Sequence, residues 1–265
     1  METVRSKRCS RPLRRRGEHR RRRFWASLFG VTLVATGPSV AGGADRDGGP
    51  AAWGRVLEQV VDRGRVDYGA LQKGPIRATL DRYLGWVAKT SVPEERDRRI
   101  AFWVDAYNAL VVRSVVEHGT PKSVLEVDGF FSATEHTVAG RKVSLDQLEK
   151  EWLNPYAKDP RTHFVLVCGA VGCPILESRP YSGSDLEDRL ERATRRYLKS
   201  PHGARVAPGV LTLSKIFEWY ASDFSGMEGV KRFVTRRLSA RARKRLSDPF
   251  EVRFMEYDWN LNRQP

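Results

Sequence analysis

The chain has 265 residues, 47 Lys and Arg against 32 Asp and Glu, a net charge of +15 and 40% hydrophobic residues. A sequence pI of about 10.1 would ordinarily point to phosphate-bearing partners. The distribution of charge removes that reading. Residues 1–41 hold 11 Lys and Arg against 2 acids, nine of the fifteen net charges, and leave +6 for all that follows.

Those first residues read as an export signal. Arg20-Arg21-Arg22-Arg23 leads into the apolar "FWASLFGVTLVATGPSV", and Ser39-Val40-Ala41 offers small residues for cleavage. Arg21-Arg22-Arg23-Phe24-Trp25 resembles a twin-arginine signal, with a Sec signal as the alternative. A spanning helix needs roughly 20 apolar residues, and Gly37-Pro38 interrupts this run early. No Cys follows it, which argues against a lipoprotein. The expected location is periplasmic or secreted, with membrane contact only through the signal and no nucleic-acid partner. Residues 42–52 read as a flexible leader and 53–265 as a single domain, because no linker, low-complexity tract or repeat follows Gly49.

Capping chemistry marks three helix starts. Ser91-Val92-Pro93-Glu94 opens a long helix ending near His118-Gly119, and Ser144-Leu145-Asp146-Gln147 opens a second. Ser184-Asp185-Leu186-Glu187 opens a third, with Leu186, Leu190, Ala193 and Tyr197 on one stripe. Between them "HTVAGRKVS" predicts a hairpin turning at Ala139-Gly140, and "HFVLVC" a buried strand. "GVLTLS" and the alternating "FEVRFMEY" predict two more strands, while "VKRFVTRRLSARARKRL" (230–246) predicts one basic helix with a solvated outer face. The order predicts α+β: one domain, a mixed or antiparallel sheet packed against a buried central helix (about 94–118), and further helices.

"IAFWVDAYNALVVRSVV" is apolar nearly all round and should be buried, yet it carries Asp105 and Asn108 on one face. A carboxylate in a core costs several kcal/mol unless paired, so Asp105 needs an Arg, a His or backbone N–H groups. The pair either ties helix to sheet or faces a cleft and orients a ligand.

In order and spacing, "FWVDAYNALVV", "TVAGRKVSLDQLE", "DPRTHFVLVCGAVGCPIL", "LTLSKIFEWYASDF" and "YDWNLN" resemble the domain-of-unknown-function 547 family over roughly residues 53 to 262. The resemblance implies no settled activity. Against the family pattern, Asp105 stands where Asn is usual and Lys150 where a His often follows the acidic Glu149. The order of a buried helix and then a strand opening on His163 is similar to papain-like and transglutaminase-like folds. Their nucleophile at the helix start has no counterpart here, so the likeness is analogy.

His163, Cys168 and Cys173 fall within eleven residues. On a regular strand His163 and Cys168 would face opposite sides. Cys168 then reads as a core thiol, and Cys173, beyond the Gly169–Gly172 turn, as the better nucleophile. A disulfide, a redox couple, half a metal site, a nucleophile and plain packing all stay open. No cofactor is implied, and no metal site is assigned.

Among the remaining residues, Trp219-Tyr220 read as core anchors, His118 as a partner of its helix C-terminus, and His136 as a surface residue. Glu149 is a binding candidate that would pair with Arg179 or Lys150. The leading expectation is an exported module binding a small molecule or envelope component beside Asp105, Asn108 and Glu149. The alternative is a cysteine-dependent hydrolase or acyl transferase using Cys173 with His163, with Cys168 as a further candidate.

Overall fold

Proline, not serine, opens the first helices. In the computed structural model, which describes residues 48–246 and 249–265, α1 (Pro50–Val60) and α2 (Pro75–Lys89) both carry Pro at the first helical turn. Proline's missing N–H is no loss there, since first-turn donors have no partner within the helix. Trp53, Val56, Leu57 and Val60 line the inner stripe of α1. The Trp53 ring stacks on Tyr83 of α2 at 5.5 Å between centroids. The export signal lies outside the described residues. Helix α1 opens at Pro50, inside the stretch read as a flexible leader.

The central helix α3 (Arg96–Glu117) is buried continuously from Ile100 to Val112. It starts later than the Ser91 pattern predicts. Glu95 is the cap, its carboxylate accepting from the N–H groups of Asp97 and Arg98. The far end behaves as expected: His118 caps the helix and Gly119 takes φ +74°.

The hairpin β3 (His136–Val138) and β4 (Arg141–Val143) turns through Ala139 and Gly140, both at positive φ. Ser144 and Gln147 then form the reciprocal capping box of α4 (Leu145–Gln147). A π-helical turn (Leu148–Leu153) and α5 (Asn154–Ala157) continue it. A short hairpin, β1 (Val61–Asp62) and β2 (Arg65–Val66), precedes α2.

The predicted strand "HFVLVC" is not a strand. Residues Pro160–Phe164 form a 3-10 turn, and the chain then runs on irregularly. The cause is Asn108. Its Nδ2 donates to Val165 O and its Oδ1 accepts from Val167 N–H, both at 2.9 Å. One buried carboxamide thus satisfies the backbone groups that a neighbouring strand would otherwise take.

Helix α6 (Leu186–Lys199) buries the predicted Leu186, Leu190, Ala193 and Tyr197. Its Ser184 does not cap, bonding Ser182 instead. A three-stranded sheet follows, with β5 (Ala204–Ala207) antiparallel and β7 (Glu251–Phe254) parallel to the central β6 (Val210–Leu213). The predicted basic helix is two: α8 (Gly226–Thr235) follows the short α7 (Ile216–Trp219), and α9 (Ala240–Arg245) restarts at the Ser239 cap.

The fold is therefore mixed α+β in one compact domain. Its core has two parts, a large cluster around α1 to α3 and a smaller one between the three-stranded sheet and α8. Phe164 packs in the smaller cluster and Val165–Val167 in the larger. His163 is thereby set where the two meet. Among the described residues no helix is long and apolar enough to cross a membrane.

Candidate functional site

A cavity of about 520 Å³ opens at that junction. His163, Glu149, both cysteines and the aromatic residues Tyr107, Trp219, Tyr220, Tyr257 and Trp259 line it. Its size falls in the usual range for small-molecule sites, roughly 300–1,000 Å³.

His163 is buried, and both its ring nitrogens face carboxylates. Nε2 lies 2.8 Å from Asp223 Oδ2 and Nδ1 lies 3.8 Å from Glu149 Oε1. The ring rests on Tyr220, 3.9 Å between centroids. Glu149 stands in the π turn, a geometry that recurs at functional sites. Its Oε2 accepts from Tyr107 OH at 3.3 Å. The expected pairing with Arg179 or Lys150 is not made, because Lys150 bonds Asp146 at 2.9 Å.

Burial, then the charge of Glu149, pushes the phenols of Tyr107 and Tyr220 well above their ordinary range. Burial does the same to Tyr257. These hydroxyls stay protonated and can act as donors.

Cys168 and Cys173 are joined, Sγ–Sγ 2.04 Å. Because the chain from His163 is not a strand, the alternation that would put His163 and Cys168 on opposite faces does not apply. Both line the same cavity. Cys168 is half-buried and Cys173 buried. Cys173 Sγ accepts from Cys168 N–H at 2.8 Å and from Tyr257 OH at 3.3 Å.

Asp105 and Asn108 stand elsewhere. Asn108 is consumed by the backbone of Val165 and Val167 and touches the cavity only through the segment it holds. Asp105 accepts from Trp53 Nε1–H at 3.3 Å and Tyr181 N–H at 2.9 Å, the backbone donor its burial called for. It lines a separate cavity with Tyr83, Phe102 and Tyr181. The acid–amide couple and the His–Cys group are thus not one site. Among the described residues, no group of three or more His, Cys, Asp or Glu is placed to hold a metal ion.

The model of a family described as "Protein of unknown function, DUF547" matches residues 93–198. Over that segment, which is less than half of the chain, the protein is similar to this family. No curated protein and no solved structure matches the chain. The DUF547 stretch supplies α3, Glu149, His163 and both cysteines, but not the whole cavity. Trp219, Tyr220, Tyr257 and Trp259 of the lining come from beyond it, as does Asp223, which bonds His163. The matched segment and the C-terminal region close the site together.

Several of these residues escaped sequence reasoning. Trp219 is no core anchor: it is 47% exposed and sits against Tyr257 and Trp259 at 4.9 and 5.7 Å. His136 is not at the surface but buried, its Nε2 without a hydrogen-bond partner among the described residues. Asp223 and Tyr257 lay inside the quoted "LTLSKIFEWYASDF" and "YDWNLN" blocks, whose polar members were the available signal.

Proposed function

We propose that the protein is an exported binding module whose cavity takes a small organic cation, an amine or quaternary ammonium on a compact apolar body. The observation that carries it is a half-exposed tryptophan at a cavity whose acids outnumber its bases. Trp219, Tyr257 and Trp259 lie within 4.8 to 5.7 Å of one another, a grouping whose π-faces favour cations. Lys150 is neutralised by Asp146, while Asp128 and Glu149, also on the lining, have no Lys or Arg ion-pair partner among the described residues. Export rests on the basic leader and its apolar run.

The test is titration with benzylamine and tetramethylammonium against neutral benzyl alcohol, followed by tryptophan fluorescence. Both cations are expected to bind at least about tenfold tighter than the alcohol, with Trp219→Ala and Glu149→Gln each weakening them by about 1–2 kcal/mol. Equal affinity for cation and alcohol, or none for either, sinks the reading. For export, the mature N-terminus should begin at Gly42.

A second reading is a cysteine-dependent hydrolase or acyl transferase, favoured by the cavity that Cys173 and His163 share. It needs the reduced pair, since the nucleophile is a thiolate. A p-nitrophenyl ester burst from reduced protein, absent in Cys173→Ser, is its test.

A further inference from the structure

The two sulfurs of the disulfide are not equivalent. Cys168 is half-buried, while Cys173 is buried and holds two donors, Cys168 N–H at 2.8 Å and Tyr257 OH at 3.3 Å. Tyr257 OH also lies 3.4 Å from Cys168 Sγ, so one phenol spans the bond. The pair lines a cavity of about 520 Å³ rather than being sealed in a core. A bond kept only for stability needs neither access for a small molecule nor donors on one of its sulfurs.

We infer that Cys168–Cys173 is a thiol–disulfide exchange site for small-molecule thiols, attacked at Cys168 with Cys173 as the leaving sulfur. The incoming thiol loses its proton to solvent, and its thiolate attacks Cys168 Sγ. A new bond forms between the incoming sulfur and Cys168 as the Sγ–Sγ bond breaks. The electron pair leaves on Cys173, where the Cys168 N–H and Tyr257 OH receive the thiolate. A second thiolate then attacks the small molecule's sulfur in the mixed disulfide. The small disulfide's S–S bond forms as the bond to Cys168 breaks, and the electron pair leaves on Cys168. Both protein sulfurs take protons from solvent, giving two protein thiols and one small disulfide. Two thiols are oxidised and one disulfide reduced. Run in reverse, the site oxidises itself at the expense of a small disulfide. Exchange is faster when the departing sulfur is the better-stabilised thiolate. The Cys168 N–H sits on Cys173 alone, and the Tyr257 hydroxyl, within reach of both sulfurs, can turn to the one that leaves. Desolvation in the cavity wall raises the pKa of the Tyr257 hydroxyl and keeps it protonated for that role. The inference stands whether or not the cavity also binds organic cations.

The oxidised full chain would be mixed with glutathione in native buffer, quenched with acid, and followed by intact mass and peptide mapping. A single glutathione adduct on Cys168, with an alkylatable thiol on Cys173, is expected. Its formation should be no slower than in the urea-unfolded chain. Tyr257→Phe should slow the step roughly three- to tenfold, the loss of one donor to a charged sulfur, while leaving Cys168 as the site of the adduct. An adduct on Cys173, or none until the chain unfolds, overturns the inference, as does a wild-type rate in a folded Tyr257→Phe protein. The position of the adduct in the unaltered chain decides the matter even if that variant does not fold.

Discussion

His163 Nε2 lies 2.8 Å from Asp223 Oδ2, joining residues 60 apart and tying the DUF547 segment to the region that follows it. The imidazole is buried while the Asp223 side chain is 38% exposed. Removing the acceptor leaves a ring nitrogen short of a partner near solvent, so the loss falls at the low end for such groups. Asp223→Ala is expected to cost about 1 kcal/mol in urea unfolding. Asp223→Asn keeps an acceptor and should cost less than half as much. Equal losses would mean that charge, not the hydrogen bond, holds the ring.

Asn108 makes the sharpest stability prediction. Its carboxamide serves one donor and one acceptor of the Val165–Val167 backbone. Asn108→Ala strands both in the interior, an expected loss of about 2–4 kcal/mol. Asn108→Asp keeps the acceptor for Val167 N–H but sets a carboxylate oxygen against Val165 O, so it should be no better than Ala above the carboxylate range. Denaturant midpoints at pH 8 would rank the three chains.

The same residue explains where the sequence was legible. Local chemistry could be read wherever it closed locally: the Ser144–Gln147 box, the Ala139-Gly140 turn and the stripe of α6 all appear as written. "HFVLVC" could not be, because its hydrogen-bond partner is a side chain 57 residues away. Period-two hydrophobicity describes an extended apolar segment but not what pairs with it. The site was half legible for a related reason. His163, Glu149 and the cysteines were named, yet Asp223, Trp219 and Tyr257 reach them only through tertiary packing. Helices α1 and α2 carry no side-chain cap and open on Gly-Pro, a start that capping chemistry does not mark.

Asp105 makes stability depend on pH. Burial pushes its carboxyl well above the ordinary range, against the opposing pull of Tyr181 N–H, Arg189 and Trp53. A folded pKa above the unfolded one means that the folded state binds the proton more tightly. The contribution is therefore full below the unfolded value, near 3.8, and is lost as pH rises through the folded value. Asp105→Asn removes this component. The difference in unfolding free energy between Asp105→Asn and wild type should move in favour of the variant as pH rises from 4 to 8. A difference that stays flat across that range would show that the carboxyl titrates alike in both states.

His136 has the opposite sign. Burial, helped by Lys142 and His118 and opposed by Glu117, lowers its pKa below 6.5. The unfolded chain therefore takes up the proton first, and stability falls as pH drops through 6.5. Among the described residues its Nε2 has no partner, so His136→Phe gives up no hydrogen bond with them at that atom. The variant should hold its thermal midpoint between pH 7.5 and 5.5 better than wild type, by a few degrees if the effect is about 1 kcal/mol.

The last turn of chain acts as a clasp. Asn262 is buried; its Oδ1 accepts from Tyr68 OH at 2.8 Å, its N–H donates to Gly169 O at 2.9 Å, and its O accepts from Val66 N–H at 3.0 Å. It thus joins β2 to the glycine turn that leads to the disulfide. Asn262→Ala keeps the two backbone bonds and strands only the Tyr68 hydroxyl, so it should cost about 1–3 kcal/mol. Deleting residues 257–265 removes all three bonds together with Tyr257 and Trp259 from the cavity wall. That deletion should unfold well before the Asn262→Ala chain in urea. Near-equal midpoints would place the strength of the clasp in the Tyr68 bond alone, and the backbone pairing with Val66 and Gly169 would then be a consequence of folding rather than a support for it.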